Sequence, residues 1–164
     1  MNYHNITKAD LLNGEGIRVV LWVSGCSHYC EGCQNKQTWD SQSGILFDIY
    51  AVEEILEELN KPWCSGLTIS GGDPLNEMNL DTVYDLCRLV KQKYPIKTIW
   101  LYTGYRFEDI QDLDILNYID VLVDGKFEKD KFDINYPFAG STNQRVIDIP
   151  KTLQNKEIIL WENK

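Results

Sequence analysis

Three of the five cysteines lie within eight consecutive residues, in the segment Cys26-Ser27-His28-Tyr29-Cys30-Glu31-Gly32-Cys33. Thiolates are soft ligands, and they favour iron–sulfur clusters, zinc or copper(I). Three thiolates on one loop can hold three corners of a cubane cluster and leave the fourth iron open. The spacing therefore predicts a metal centre, formed by Cys26, Cys30 and Cys33, with a coordination position at which a further ligand can bind and react.

Two other interpretations of the cysteine loop stay open. Structural zinc needs a fourth ligand, and the only histidines are His4 and His28. The three thiols could also be free. Cys87 shares an apolar helical stripe with its neighbours, which predicts a buried core residue, and Cys64 falls in a predicted turn. His28 lies inside the loop, and its residue type alone predicts no role for it.

The elements that must position this loop alternate between strand and helix along the chain. Apolar runs predict strands at 17–23, 67–69, 97–102 and 119–123. Amphipathic spacing predicts helices at 52–59, at 80–94 with Asn79 as N-cap, and a short one around 107–113. Such alternation is typical of βαβ units, so the predicted fold class is α/β with a largely parallel sheet.

Each predicted strand runs into a loop with distinctive chemistry. The first leads into the cysteines, and the others lead into Gly71-Gly72-Asp73, Thr103-Gly104-Tyr105 and Asp124-Gly125-Lys126. The carboxyl ends of parallel strands share one edge of the sheet, where ligands bind in such folds. We therefore expect the four loops to form one site.

Length and charge limit the remaining possibilities. The 164 residues predict a single domain, with an irregular tail from about residue 146, in which 146–149 and 158–161 are candidate strands. A closed eight-fold β/α barrel takes roughly 250 residues, so any barrel here must be incomplete. The net charge of −9 argues against nucleic acid or an anionic membrane as partner. No signal peptide or apolar span is evident, so we expect a cytoplasmic protein.

The cysteine spacing resembles the signature of the radical S-adenosylmethionine (SAM) enzymes. A longer series of motifs, in the same order, resembles the activating proteins of anaerobic (class III) ribonucleotide reductase. Asp73 stands where the superfamily usually has glutamate, Glu15 where this family usually has proline, and Gln34 where it usually has tyrosine. The matching segments are Asn13-Gly14, Gly16, Ser24-Gly25-Cys26, Cys30-Glu31-Gly32-Cys33, Asn35-Lys36-Gln37-Thr38-Trp39, Ser70-Gly71-Gly72-Asp73-Pro74-Leu75, Trp100-Leu101-Tyr102-Thr103-Gly104-Tyr105, Val123-Asp124-Gly125-Lys126-Phe127 and Gly140-Ser141-Thr142-Asn143-Gln144.

The resemblance implies an incomplete β/α barrel of the radical SAM type. It also implies a [4Fe-4S] cluster on Cys26, Cys30 and Cys33, with SAM on the fourth iron. No catalytic residue beyond the cluster and SAM is implied. The residues implied to bind the cofactors are Gly32, Cys33, Gln34, Gly71, Gly72, Asp73, Thr103, Asp124 and Lys126.

The implied activity is reductive cleavage of SAM to a 5′-deoxyadenosyl radical, which generates a glycyl radical on the anaerobic reductase. The implied partners are that reductase and a one-electron donor such as flavodoxin. Alternatives are a radical SAM activase of another glycyl-radical enzyme, a small-molecule radical SAM enzyme, and a metal-binding adaptor without catalysis.

Overall fold

The computed structural model describes residues 1–162. Within these residues, one sheet of seven strands is combined with four α-helices and three short 3₁₀ turns. The helices are α1 (Ile49–Leu59), α2 (Leu80–Lys93), α3 (Phe107–Ile110) and α4 (Ile149–Asn155). The strands are β1 (Asn2–Asp10), β2 (Arg18–Val23), β3 (Ile45–Leu46), β4 (Gly66–Gly71), β5 (Thr98–Tyr102), β6 (Val121–Asp124) and β7 (Arg145–Asp148).

The sheet has the order β3-β1-β2-β4-β5-β6-β7. Its four central strands, β2, β4, β5 and β6, are parallel, whereas β1, β3 and β7 run antiparallel to their neighbours. The predicted α/β class and the parallel centre of the sheet are confirmed. In the part of the chain that the structure describes, β3 and β7 are the two edges of an open sheet.

The central strands are covered on both faces, which explains their nearly continuous apolar sequences. On β2, Val19, Leu21 and Val23 pack into the main core with the buried residues of α1 and α2. Cys87 of α2 is fully buried in that core, as predicted. α1 begins three residues before the predicted start because the Asp48 carboxylate accepts hydrogen bonds from the first-turn amides of the helix.

The opposite face of the sheet carries a smaller core and a cleft. Trp100 is the largest side chain of this core, and its ring packs edge-on against Phe138 (5.0 Å) and Trp161 (5.1 Å). Trp22, which its apolar context predicts to be a core residue, is only half-buried and lines the cleft. Arg18 lies on this face at the amino end of β2, where it is fully buried and donates to the Thr68 hydroxyl over 2.7 Å.

The tail differs from its prediction. The candidate strand at 146–149 is confirmed as β7, but α4 follows it where the sequence predicts an irregular segment. Pro150 lies in the first turn of α4, where a missing amide proton costs no helical hydrogen bond, so proline starts a helix here instead of marking a turn. The predicted strand at 158–161 is reduced to a single bridge between Ile147 and Leu160.

β1 and β3 are not among the predicted strands. The pairing of β1 with β2 shifts register between Tyr3 and Asn5, so its buried residues, Tyr3 and Ile6, are three positions apart. The irregularity hides the two-residue period by which a strand is recognised. None of the helices in residues 1–162 is long and apolar enough to span a lipid bilayer.

Candidate functional site

The four distinctive loops lie side by side at the carboxyl ends of the four parallel strands, as the sequence predicts. Backbone hydrogen bonds join the first loop to the second and the third loop to the fourth. Gly72 donates to the carbonyl of Val23 (2.7 Å), Thr103 donates to Val123 (2.9 Å), and Gly125 donates to Tyr105 (2.9 Å). The amide of Gly104 donates to the Asp73 carboxylate over 3.0 Å and so joins the second loop to the third, which makes the four loops one continuous surface.

The cysteine loop is closed by contacts of its own backbone. The amide of Cys26 donates to the carbonyl of Trp39 (3.0 Å), and the amide of Cys33 donates to the carbonyl of Cys30 (3.2 Å). The Cys33 sulfur accepts a hydrogen bond from the amide of Asn35 over 3.3 Å. All five cysteines are free, and these three are partly exposed while Cys64 and Cys87 are buried.

Burial raises the pKa of the Cys26 and Cys30 thiols. At Cys30 the backbone of Phe127 and the ammonium of Lys126 act in the opposite direction and favour the thiolate. The loop after β6 therefore contributes positive potential beside the cysteine loop. Within residues 1–162, no three Cys, His, Asp or Glu side chains converge on a site for a single ion. A cubane cluster does not need three side chains around one ion, because each thiolate binds a different iron at its own corner of the cluster.

The Gly71-Gly72-Asp73 turn lies directly against the cysteine loop. Gly71 has a φ of +103°, and a Cβ on Gly72 would lie 2.5 Å from the carbonyl oxygen of Gly25. Only glycine permits this close approach. The amide of Asp73 then donates to the same Gly25 carbonyl over 2.7 Å, so the backbone of this turn lies immediately beside the first cysteine.

The Asp73 carboxylate is 1% exposed and accepts hydrogen bonds from several loops. One oxygen accepts from the amide of Leu75 (2.8 Å), and the other from the amide of Gly104 (3.0 Å). The Thr103 hydroxyl lies 3.0 Å from both oxygens, and Nε2 of His28 lies 2.5 Å from Oδ2. Sequence reasoning placed Asp73 at this edge but did not identify His28 as its partner.

Asp124 is fully buried at the end of β6 and is also surrounded by protein donors. Its carboxylate accepts from the amide of Phe107 (2.8 Å) and from the guanidinium of Arg145 (Nε, 3.0 Å). Arg145 also makes a two-point contact with Glu108, at 2.9 and 2.8 Å. That ion pair lowers the pKa of Glu108 to about 2. Lys126, two positions after Asp124, is exposed.

A cleft of about 640 Å³ runs along the second face of the sheet and reaches the cysteine loop. Of the predicted site residues, Cys33 and Gln34 line it, while Gly71, Gly72, Asp73 and Thr103 lie at the strand ends beyond Ser70 and Tyr102, which also line it. The Tyr102 hydroxyl is buried and has no protein partner within the described residues. Tyr102 is not among the predicted site residues, although it lies in one of the matching motifs, Trp100-Leu101-Tyr102.

The mouth of this cleft carries four exposed apolar side chains next to polar residues such as Gln34 and Asn135. Leu11 (68% exposed), Leu12 (81%), Phe132 (51%) and Ile134 (84%) line it, and we call these four residues the cleft rim. Exposed apolar side chains grouped at the mouth of a cleft are typical of a surface that binds another molecule.

Comparisons with known proteins agree with the prediction of a metal centre at the cysteine loop. Residues 12–147 match a family described as a 4Fe-4S single cluster domain. The chain is 47% identical over 150 residues to the anaerobic ribonucleoside-triphosphate reductase-activating protein of Enterobacteria phage T4, covering 89% of this chain and 93% of that protein. Identity to the proteins of the same name is 42% in Haemophilus influenzae (88% and 96% covered) and 39% in Escherichia coli K12 (89% and 97%).

Fold and sequence together therefore define an α/β protein with a 4Fe-4S cluster domain. The chain belongs to the family of anaerobic ribonucleoside-triphosphate reductase-activating proteins.

Proposed function

We propose that this protein is a radical SAM enzyme that activates an anaerobic ribonucleoside-triphosphate reductase by generating a glycyl radical on it. The observation that carries the proposal is the cysteine loop, which is fixed against a glycine turn and opens onto a cleft large enough for a small molecule. The names of its relatives supply the target. The open, partly parallel sheet is compatible with an incomplete barrel of the radical SAM type.

The residues present fit a cluster and SAM. Cys26, Cys30 and Cys33 are free, partly exposed thiols, and we propose that they hold a [4Fe-4S] cluster. The unpartnered Tyr102 hydroxyl in the cleft offers a hydrogen bond to a polar ligand. Once bound, the cluster and SAM supply a 5′-deoxyadenosyl radical, which can take the Cα hydrogen of a glycine.

The protein's own groups hold and orient these cofactors. We propose that Gly32, Cys33 and Gln34 contact SAM from the cysteine loop. We propose that backbone groups make the contact with SAM at Gly71-Gly72-Asp73, Thr103 and Asp124. The carboxylates of Asp73 and Asp124 are already surrounded by protein donors. The exposed ammonium of Lys126 is free to pair with the carboxylate of SAM. No protein acid, base or nucleophile is required.

We propose the reductase segment that carries the glycine as the molecule bound at the cleft rim. The exposed apolar side chains of the cleft rim, next to the cysteine loop, suit a polypeptide substrate, which must bring one Cα close to SAM. A one-electron donor such as flavodoxin would reduce the cluster. We place the protein in the cytoplasm, where free thiols stay reduced.

The test is anaerobic reconstitution with iron and sulfide, followed by dithionite and SAM. We expect a brown protein that releases methionine and 5′-deoxyadenosine. A colourless protein with tightly held zinc would contradict the proposal, and a cluster that forms without releasing 5′-deoxyadenosine would favour the metal-binding adaptor.

A further inference from the structure

We propose that His28 and Asp73 form a positioning pair that fixes the cysteine loop against the Gly71-Gly72 turn and thereby sets the distance between the cluster and the groups that hold SAM. The inference rests on the proposed function. It assigns Asp73 a role through His28 and the neighbouring loops, instead of contact between its carboxylate and SAM.

The pair joins two loops that are 45 residues apart in sequence. Nε2 of His28 lies 2.5 Å from Oδ2 of Asp73, and the two side chains are 7% and 2% exposed. His28 lies between two of the cysteines, whereas Asp73 directly follows the glycine turn. A displacement of either loop would therefore break a buried polar contact, which is costly in a site shielded from water.

The imidazole of His28 is held from a third direction by the loop after β5. Its ring packs edge-on against Tyr105, with 4.6 Å between ring centroids and 75° between the planes. Gly104 leaves the space that the imidazole occupies, because a Cβ at that position would collide with the ring. Asp73, Tyr105 and Gly104 therefore confine the ring on three sides, which is what a spacer between two loops requires.

Asp73 is the point at which the loops meet. Its carboxylate receives donors from His28 in the cysteine loop, from Thr103 and Gly104 after β5, and from Leu75 in its own turn. With both oxygens occupied by protein donors and 1% of the residue exposed, the side chain is not available to a ligand. This arrangement also accounts for the short carboxylate, since a glutamate would extend towards the imidazole.

A second tie between the same loops does not involve His28. The side-chain amide of Asn79 donates to the carbonyls of Ser24 (2.8 Å) and Asp73 (2.9 Å), and both contacts are buried. Asn79 occupies the N-cap position of α2, but its side chain makes no cap hydrogen bond. Because Asn79 keeps the loops together, we expect a His28 variant to fold and to take up iron while holding SAM less well.

The experiment compares four reconstituted proteins: wild type, H28A, H28Q and H4A. His4 is the matched control, since it is the other histidine of the chain, and its Nε2 bonds the Ser43 hydroxyl (2.8 Å) away from Asp73. Iron and sulfide content are measured first. The dissociation constant of SAM is then obtained from the change that added SAM causes in the electron paramagnetic resonance (EPR) spectrum of the reduced cluster.

We expect H28A to hold about as much iron as wild type but to bind SAM about tenfold or more weakly, the effect of losing a hydrogen bond to a charged group. In H28Q, a side-chain N–H of similar reach should restore binding to within about threefold of wild type. H4A should match wild type. Rescue by glutamine would not be expected if the ring acted only by filling space.

Wild-type affinity in loaded H28A would overturn the inference and leave the proposed function intact. If H28A takes up no iron, the SAM affinity of H28Q is the test. An affinity of H28Q near that of wild type supports the pair, and an affinity more than about tenfold weaker contradicts it. Absence of any SAM-dependent change in the wild-type spectrum would instead contradict the proposed function.

Discussion

At the scale of single residues, the five cysteines fall into two groups with different surroundings. Cys26, Cys30 and Cys33 are partly exposed in the loop that follows β2, whereas Cys64 and Cys87 are buried. Full burial raises the pKa of the Cys87 thiol to about 12, so it stays protonated and is a poor metal ligand. Residue type alone does not separate the two groups, but their surroundings do.

This difference makes a direct prediction about iron binding. C26A, C30A and C33A should each lose the SAM-dependent release of 5′-deoxyadenosine and most of the bound iron after reconstitution. C87A is the matched control and should keep both, with a stability loss of about 1 kcal/mol for the small cavity. Equal loss of iron in all four variants would mean that Cys87 has been assigned the wrong role.

Asp73 and Asp124 illustrate what sequence can predict at this scale. The position of Asp73 after β4 and that of Asp124 at the end of β6 correctly place them where the loops meet. The donors that surround them come from residues distant in sequence, such as His28 for Asp73 and Arg145 for Asp124. Such contacts depend on the packed fold, so a pattern in one segment does not predict them.

At the scale of elements, Arg145 holds β6, β7 and α3 together. It lies at the start of β7, bonds the buried carboxylate of Asp124 at the end of β6, and forms a two-point ion pair with Glu108 of α3. Removal of a partner from a buried carboxylate leaves a charge without compensation, which is among the costly changes in a protein interior.

We therefore expect R145A to lower the free energy of unfolding by about 2–4 kcal/mol, measured by urea denaturation; Arg106, at 3.6 Å from Asp124, limits the loss. R88A is the matched control, because Arg88 pairs with the exposed Asp85 on the surface of α2. It should cost less than about 0.5 kcal/mol. Equal effects of the two substitutions would contradict the role assigned to Arg145.

The same ion pair predicts a dependence on pH. The pKa of Glu108 is lowered to about 2 from its ordinary 4.5, chiefly by its hydrogen bond with Arg145. The pair therefore stabilises the fold above about pH 4.5, and this contribution is lost as the pH falls towards 2. The difference in urea midpoint between wild type and R145A should narrow from about pH 6 to about pH 3. A constant or widening difference would contradict this assignment.

The elements themselves were predictable where their sequence follows one period. The four parallel strands and α2 have continuous or regularly spaced apolar residues, and their predicted bounds lie close to those observed. β1 was missed because a register shift interrupts its alternation, and α4 because Pro150 resembles a turn residue. The structure of β1 depends on its pairing with β2, and that of α4 depends on the position of Pro150 in the first helical turn.

At the scale of the whole molecule, an acidic protein presents an apolar cleft rim beside the cysteine loop. If the reductase binds there, L12A combined with I134A should weaken the affinity for the reductase about tenfold, since a few apolar contacts dominate most interfaces. I96A is the matched control, because Ile96 is 87% exposed and lies outside the cleft. Surface plasmon resonance measures both, and a similar loss in I96A would contradict docking at the rim.

The most direct test of the central claim is EPR of the reconstituted protein mixed anaerobically with its cognate anaerobic reductase, dithionite and SAM. The account predicts a glycyl-radical doublet on the reductase, which disappears when SAM is omitted or when C30A replaces the wild-type protein. A mixture that cleaves SAM to 5′-deoxyadenosine but shows no doublet would contradict the claim that this protein activates the reductase.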